Sequence, residues 1–456
     1  MRRGRKNGSS IALLSLFAVI IGAVLYGYNA EMFEREAPVI SMKNNGYWNL
    51  KNSLDISIDD TTGLKAYKVI LIGSSEETLL YNEQFLTPKQ SVNIKVEPPK
   101  SAYTMKENDI KIVVEAVDTS KWNFFKGNIA RSEFKLKIDK KRPALNTVAN
   151  SYKISKGGAA LVVFKAEDEN LKELYIETSF NKKFKAQPFY KEGYYIALLA
   201  WPIKESTFRA AVVAKDYADN TSKAHIPLFL KDIQYKVSNI KISDNFLKGK
   251  IADLAEEFAE TQGVTDPIEQ FKIINENVRE KNEKLIYDIT SKVSNEMIQD
   301  FYINKMYPLK NGAVVARFGD HRLYSYNGNR ISESYHLGLD LASNAMAQIK
   351  PHNGGEVVYA GYNGLYGTMP ILSHGLGLYT LYGHCSSVNV NSGDIIQAGT
   401  HIANTGKSGY AMGDHLHFGV LIQGVEVRPA EWMDATWIKL NISDVIKSAK
   451  TIIDKN

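Results

Sequence analysis

The 456 residues exceed one ordinary domain, since a typical domain runs to about 150 residues and the length suggests roughly three. A composition that is 44% hydrophobic and 23% charged excludes a largely disordered chain. The net charge of +6 is spread along the sequence without a basic stripe, so no nucleic-acid partner is expected. The single cysteine, Cys385, excludes an intramolecular disulfide and a four-cysteine metal site, leaving histidine and carboxylate to hold any metal.

Arg2, Arg3, Arg5 and Lys6 precede an uncharged apolar run over residues 11–28. A helix of about 18–20 residues spans a bilayer core. Basic residues before the run and none immediately after place the N-terminus in the cytoplasm. Residues 1–29 are therefore expected to be a basic tail and a single transmembrane anchor. A cleaved signal peptide is the rival reading, but YGYNAEMF supplies few small residues for a cut. No cysteine stands directly after the run, which excludes a lipoprotein anchor.

From 38 to 232 the pattern is of β-strands: LDISI, AYKVILI, IKIVVEAV, then ALVVFKAE, GYYIALLAW and FRAAVVA. Clusters of Asn, Gly, Asp and Pro punctuate them. TTGLKAYKVIL from Thr61 is echoed by DENLKELYIE from Asp168, and VEAVD by VVAKD. A period near 100 residues predicts two tandem immunoglobulin-like sandwiches, 38–140 and 141–232. They are a possible site for a protein partner, or a stalk. Residues 244–306 read as helical. Asp244 is a candidate cap for a helix through Phe246, Leu247, Ile251, Leu254 and Phe258. Asp266 and Pro267 open a second, with a stripe of Ile268, Phe271, Ile274, Val278, Leu285 and Ile289. This segment directly precedes the last domain and could cover its groove.

Residues 307–437 are glycine-dense with short strands, an all-β domain, followed by a tail over 438–456. Eight of the nine histidines lie at or after His321. Side chains alternate between the faces of a strand. In HLGLDL this puts His336, Gly338 and Asp340 on one face and Leu337, Leu339 and Leu341 on the other. In HLHFGVLI it pairs His415 with His417 opposite Leu416, Phe418, Val420 and Ile422. Two strands thus present paired ligands from a buried platform. His336, Asp340 and either His415 or His417 would make the two-histidine, one-carboxylate set of a catalytic zinc site. The spare histidine and His384 remain for proton transfer or charge stabilisation.

Over 307–437 these motifs resemble the M23 (LytM-like, lysostaphin-type) zinc endopeptidases. The resemblance rests on Phe318, Gly319 and Arg322, then HLGLDLA, GGEVVYAG from Gly354, SHGLGLYTLYGH, and SGDIIQAGTHIANTGKSGYAMGDHLHFGV. It implies zinc held by His336, Asp340 and His417. It also implies His415 as the general base toward a zinc-bound water, and His384 as stabiliser of the oxyanion. The implied activity is hydrolysis of peptide cross-links in bacterial peptidoglycan. The single N-terminal anchor and the absence of disulfides suit an enzyme held in the inner membrane with its bulk in the periplasm. The alternative is a non-enzymatic activator or wall-binding scaffold for other hydrolases. The sequence departs from the family in the SNAMAQIKPHN loop, at Asp414 and at Gly419, which bears on groove shape. His374 reads as a structural or groove-wall residue. His225, His321, His352 and His401 read as packed, surface or loop residues, and Cys385 as a packed thiol.

Overall fold

The structure is a computed structural model describing residues 8–455 except 45, 75, 101–104 and 106. Arg2, Arg3, Arg5 and Lys6 lie outside the described residues. The chain divides into two compact units, one of residues 1–142 and 215–221, the other of 143–214 and 222–456.

The first unit opens with the 22-residue helix Gly8–Asn29. Its stretch Ile11–Asn29 has a mean hydropathy of 2.3 and no buried part. Among the described residues it is the one helix long and apolar enough to cross a membrane. Six strands then form one sheet around the 19-residue strand Leu54–Ile72, which pairs with Val39–Met42, Glu77–Val96 and Asp109–Asp118. Its alternate residues Ile56, Ile58, Val69 and Leu71 are buried. Register shifts near 59–66 and at 69–70 bend the long hairpin. All six strands are joined by hydrogen bonds, so this region does not separate into the two sheets expected of an immunoglobulin-like sandwich.

The second unit begins with strands grouped in two four-stranded sheets. Ala159–Glu167 and Tyr194–Ala200 are buried along nearly their whole length. A strand covered on both faces reads as a continuous apolar run, which explains AALVVF and YYIALLA. Part of the cover is the helix Asp444–Ile453, in the region expected as a tail. Val445, Ile446, Ala449 and Ile453 of this helix are buried in the same core.

The helical segment differs in detail from its sequence reading. Ser243 is the first cap, its side chain accepting from Phe246 N–H, with Asp244 one residue inside. Asp266 caps the second helix from Ile268 N–H with Pro267 at its first position, as expected. That helix runs over 267–290 and contains a π turn, Ile274–Val278. A π turn takes up one extra residue. The buried face accordingly moves from the expected Leu285 to Ile286 and Thr290, and Leu285 is exposed.

The C-terminal sheet has eight strands. At its centre Leu416–Ile422, buried throughout, lies between Leu339–Ala342 and Leu378–Gly383. Beside it is a smaller sheet, in which Val237–Lys241 runs parallel to His321–Tyr326 and the latter pairs with Asn329–Tyr335.

Candidate active site

Asp340 and His417 are register partners across the antiparallel pair Leu339–Ala342 and Leu416–Ile422. Two buried strands therefore fix both side chains. His415 lies one residue before the same strand, its N–H donating to the Gly406 carbonyl. His336 arrives differently. Asn329–Tyr335 ends just before it and the next strand begins at Leu339, so His336 belongs to the connection. It is pinned by backbone bonds, donating to the Asp320 carbonyl at 3.0 Å and accepting from Gly319 N–H at 2.7 Å. Strand alternation from 336 to 341 therefore holds only for its second half. Leu337 packs with Ile203 and Phe318, apart from the core that takes Leu339 and Leu341.

His336 Nε2 and His417 Nδ1 each lie 2.9 Å from Asp340 Oδ1, and 3.1 Å from one another. His336 Nδ1 donates to the Arg317 carbonyl at 2.9 Å. A carbonyl can only accept, so a neutral His336 carries its lone pair on Nε2. That lone pair faces a carboxylate oxygen, which also only accepts. A cation at the meeting point resolves the conflict. Two imidazole nitrogens and one carboxylate oxygen, with the outer nitrogen of one ring tied to a carbonyl, form a donor set that suits zinc. All three residues are buried. Burial alone would raise the Asp340 carboxyl, but the close His336 and His417 rings outweigh it and hold it far below the usual carboxylate range. Burial lowers His417 more than Asp340 raises it.

His384 and His415 stand beside this triad, their ring centroids 4.8 Å apart. His384 Nδ1 donates to the Ser408 carbonyl at 2.9 Å, and His415 Nδ1 to the Gly413 carbonyl at 2.8 Å. Each neutral ring thus offers a lone pair at Nε2, and His415 Nε2 lies 3.8 Å from Asp340 Oδ2. Burial, then His417 and His415, push His384 down to about 3. It is therefore neutral, an acceptor at Nε2, and donates from that nitrogen only once protonated. All five residues line one cavity of about 410 Å³.

The other histidines lie outside that cavity. His374 spends both ring nitrogens on the Gly354 carbonyl and the Thr380 hydroxyl, and burial lowers it to about 4. His321 stacks on Tyr335 and meets Glu333. His352 packs on Tyr307, His401 meets Asn404, and His225 is exposed. The Cys385 thiol is buried, donates to the Tyr382 carbonyl, and is pushed up to about 12. Three contributors had no role in the sequence reading, although Gly338 was placed on the face of His336 and Asp340. A Cβ at Gly338 would lie 2.5 Å from the His417 ring. Tyr366 sets its ring edge-on to His417, centroids 5.5 Å apart. Arg279 reaches the cavity from the helical segment. Only Gly338 had a local signal, a residue without a side chain between two ligand candidates.

The family model described as peptidase family M23 matches residues 334–429. This segment belongs to peptidase family M23. Among curated relatives, the M23 segment is similar to the DD-carboxypeptidase/endopeptidase Mpg of Neisseria meningitidis serogroup B. That alignment is 31% identical over 94 residues and covers 21% of this chain and 22% of the relative. The murein hydrolase activator EnvC of Escherichia coli is 30% identical over 111 residues, covering 24% of this chain and 26% of the relative. The chain thus spans about a quarter of the length of these relatives. Among solved structures, the catalytic domain of the antimicrobial peptidase lysostaphin from Staphylococcus simulans is 28% identical. It covers 27% of this chain and 92% of its own, with a TM-score of 0.24.

Proposed function

We propose that the chain is a zinc-dependent endopeptidase that hydrolyses peptide cross-links of bacterial peptidoglycan. In this reading the helix Gly8–Asn29 holds it in the inner membrane, with the bulk of the chain in the periplasm. One observation carries the proposal: two imidazole nitrogens and a carboxylate oxygen converge within about 3 Å beside two further imidazoles whose Nδ1 atoms are tied to backbone carbonyls. His336 Nε2, Asp340 and His417 Nδ1 would hold the zinc. When bound, the metal supplies a Lewis acid that lowers the pKa of water and polarises the amide carbonyl.

The chain's own groups supply the proton traffic. His415 Nε2 accepts a proton from the attacking water and returns it to the leaving amine nitrogen. The Gly413 carbonyl fixes the tautomer that permits this. His384 is a second acceptor in its neutral form and becomes a donor to the oxyanion only as an imidazolium. The match to the endopeptidase Mpg supports the activity. The match to EnvC favours a second reading, an activator without catalysis. The presence of both the metal triad and the two flanking imidazoles favours the enzyme.

The test compares wild type with His415→Ala in a cross-linked muropeptide assay, alongside zinc stoichiometry. Loss of a general base costs about 10²–10⁴-fold in kcat. The expected result is that loss with zinc binding retained. Equal rates for the two proteins, or no zinc bound by either, would overturn the proposal.

A further inference from the structure

Arg279 is the one residue of the helical stretch 267–290 among the described residues that line the metal-facing cavity. It lies well before the family match at 334–429. Its guanidinium is fixed along one edge: Nε donates to the Asn275 carbonyl at 3.0 Å and Nη2 to Asn275 Oδ1 at 2.9 Å. Asn275 is itself buried, with its amide donating to the Ser332 hydroxyl and the Glu333 carbonyl. Guanidinium carries five N–H donors in a rigid fork, so these bonds leave others uncommitted. Among the described residues no carboxylate forms an ion pair with Arg279.

A second guanidinium, Arg322, lines the same cavity, its nearest carboxylate being Asp320 at 3.5 Å. Both cations act on the Tyr410 hydroxyl, and Arg279 lies 6.0 Å from the Tyr410 ring centroid. The carboxylates in the cavity wall are already engaged. Asp340 meets His336 and His417, while Asp414 accepts from the Thr405 hydroxyl and Met346 N–H. The wall beside the triad therefore holds two guanidinium groups: Arg322 is paired with Asp320, whereas Arg279 has no carboxylate partner among the described residues and keeps donors uncommitted.

We infer that Arg279, assisted by Arg322, is an anion subsite that binds a free carboxylate of the peptide substrate close to the amide to be cut. The inference rests on the peptidase reading and deepens it: the substrate is an acidic peptide, and amidation of its carboxylates weakens it. A planar fork suits a carboxylate, and a charge-assisted pair is the stronger kind of hydrogen bond.

The test uses the full-length, zinc-loaded chain in detergent. The probes are a synthetic acidic stem-type peptide and the same peptide with its carboxylates amidated. Binding is measured by calorimetry on His415→Ala, with and without Arg279→Gln, and hydrolysis on wild type and Arg279→Gln. The acidic peptide is expected to bind about 10-fold more tightly than the amidated one, a preference that Arg279→Gln removes through KM rather than kcat. Zinc stoichiometry and thermal midpoint should stay unchanged, which a merely structural role for Arg279 would not allow. Hydrolysis of both peptides without discrimination would overturn the subsite and leave the peptidase reading standing. Arg279-dependent binding without hydrolysis by wild type would do the reverse. Neither binding nor hydrolysis would overturn both.

Discussion

Gly338 stands between His336 and Asp340, two members of the buried triad, and its lack of a side chain is a spatial requirement. A Cβ there would sit 2.5 Å from His417 Nε2 and Cε1 and 2.9 Å from the Phe418 carbonyl. The ring would have to turn away from Asp340. Disturbing the groups that orient a ligand typically costs about 10–100-fold in metal affinity. Gly338→Ala should lower zinc affinity by that order in a chelator competition. Unchanged affinity would mean that His417 does not hold the metal. That His336, Asp340, His384, His415 and His417 gather at one cavity was legible because histidines cluster in this part of the sequence and HxH alternates on a strand. How His336 is delivered was not, because periodicity is blind to a connection held by Gly319, Asp320 and Arg317 backbone bonds. Arg279 and Tyr366 are invisible in the sequence for the same reason, since only the folded chain brings them to the cavity.

At the scale of elements, apolar runs identified the strands 159–167 and 194–200 but not what covers them. The helix Asp444–Ile453 packs there from the far end of the sequence. The turn Pro429–Trp432 docks alongside, with Glu431 Oε2 accepting from Ala159 N–H at 3.0 Å. Glu431 is 5% exposed. Burial raises its carboxyl to about 7, against the opposing pull of Ala159 N–H and Arg428. A folded-state value above the ordinary 4.5 means that the folded chain holds a proton which the unfolded chain has released. Stability therefore falls as pH rises from about 4.5 to about 7, by about 3 kcal/mol in all, and stays low above that. Glu431→Gln removes this component. Its melting temperature should exceed that of wild type near pH 8, with the gap closing toward pH 4.5. Parallel curves would contradict the assignment. The π turn Ile274–Val278 shows the opposite limit of sequence reading: one extra residue exchanged Leu285 for Ile286 on the buried face.

At the scale of the molecule, the divisions expected at 232, 307 and 437 are crossed by backbone and side-chain bonds. Val237–Lys241 adds a strand beside His321–Tyr326, and Asn282 accepts from Leu365 N–H next to Tyr366. Met306 N–H donates to the Trp432 carbonyl, and the Ser151 hydroxyl to the Asn441 carbonyl. Domain divisions drawn from changes in composition miss such bonds, so the whole chain is the right object for activity measurements. The most direct one is digestion of purified peptidoglycan by the full-length chain in detergent, with released fragments read by mass spectrometry. Wild type with zinc should convert cross-linked dimers to monomers, while chelator-treated protein and His415→Ala should not. Dimers that persist with zinc-loaded wild type, or that disappear equally with His415→Ala, would contradict a zinc endopeptidase at this site.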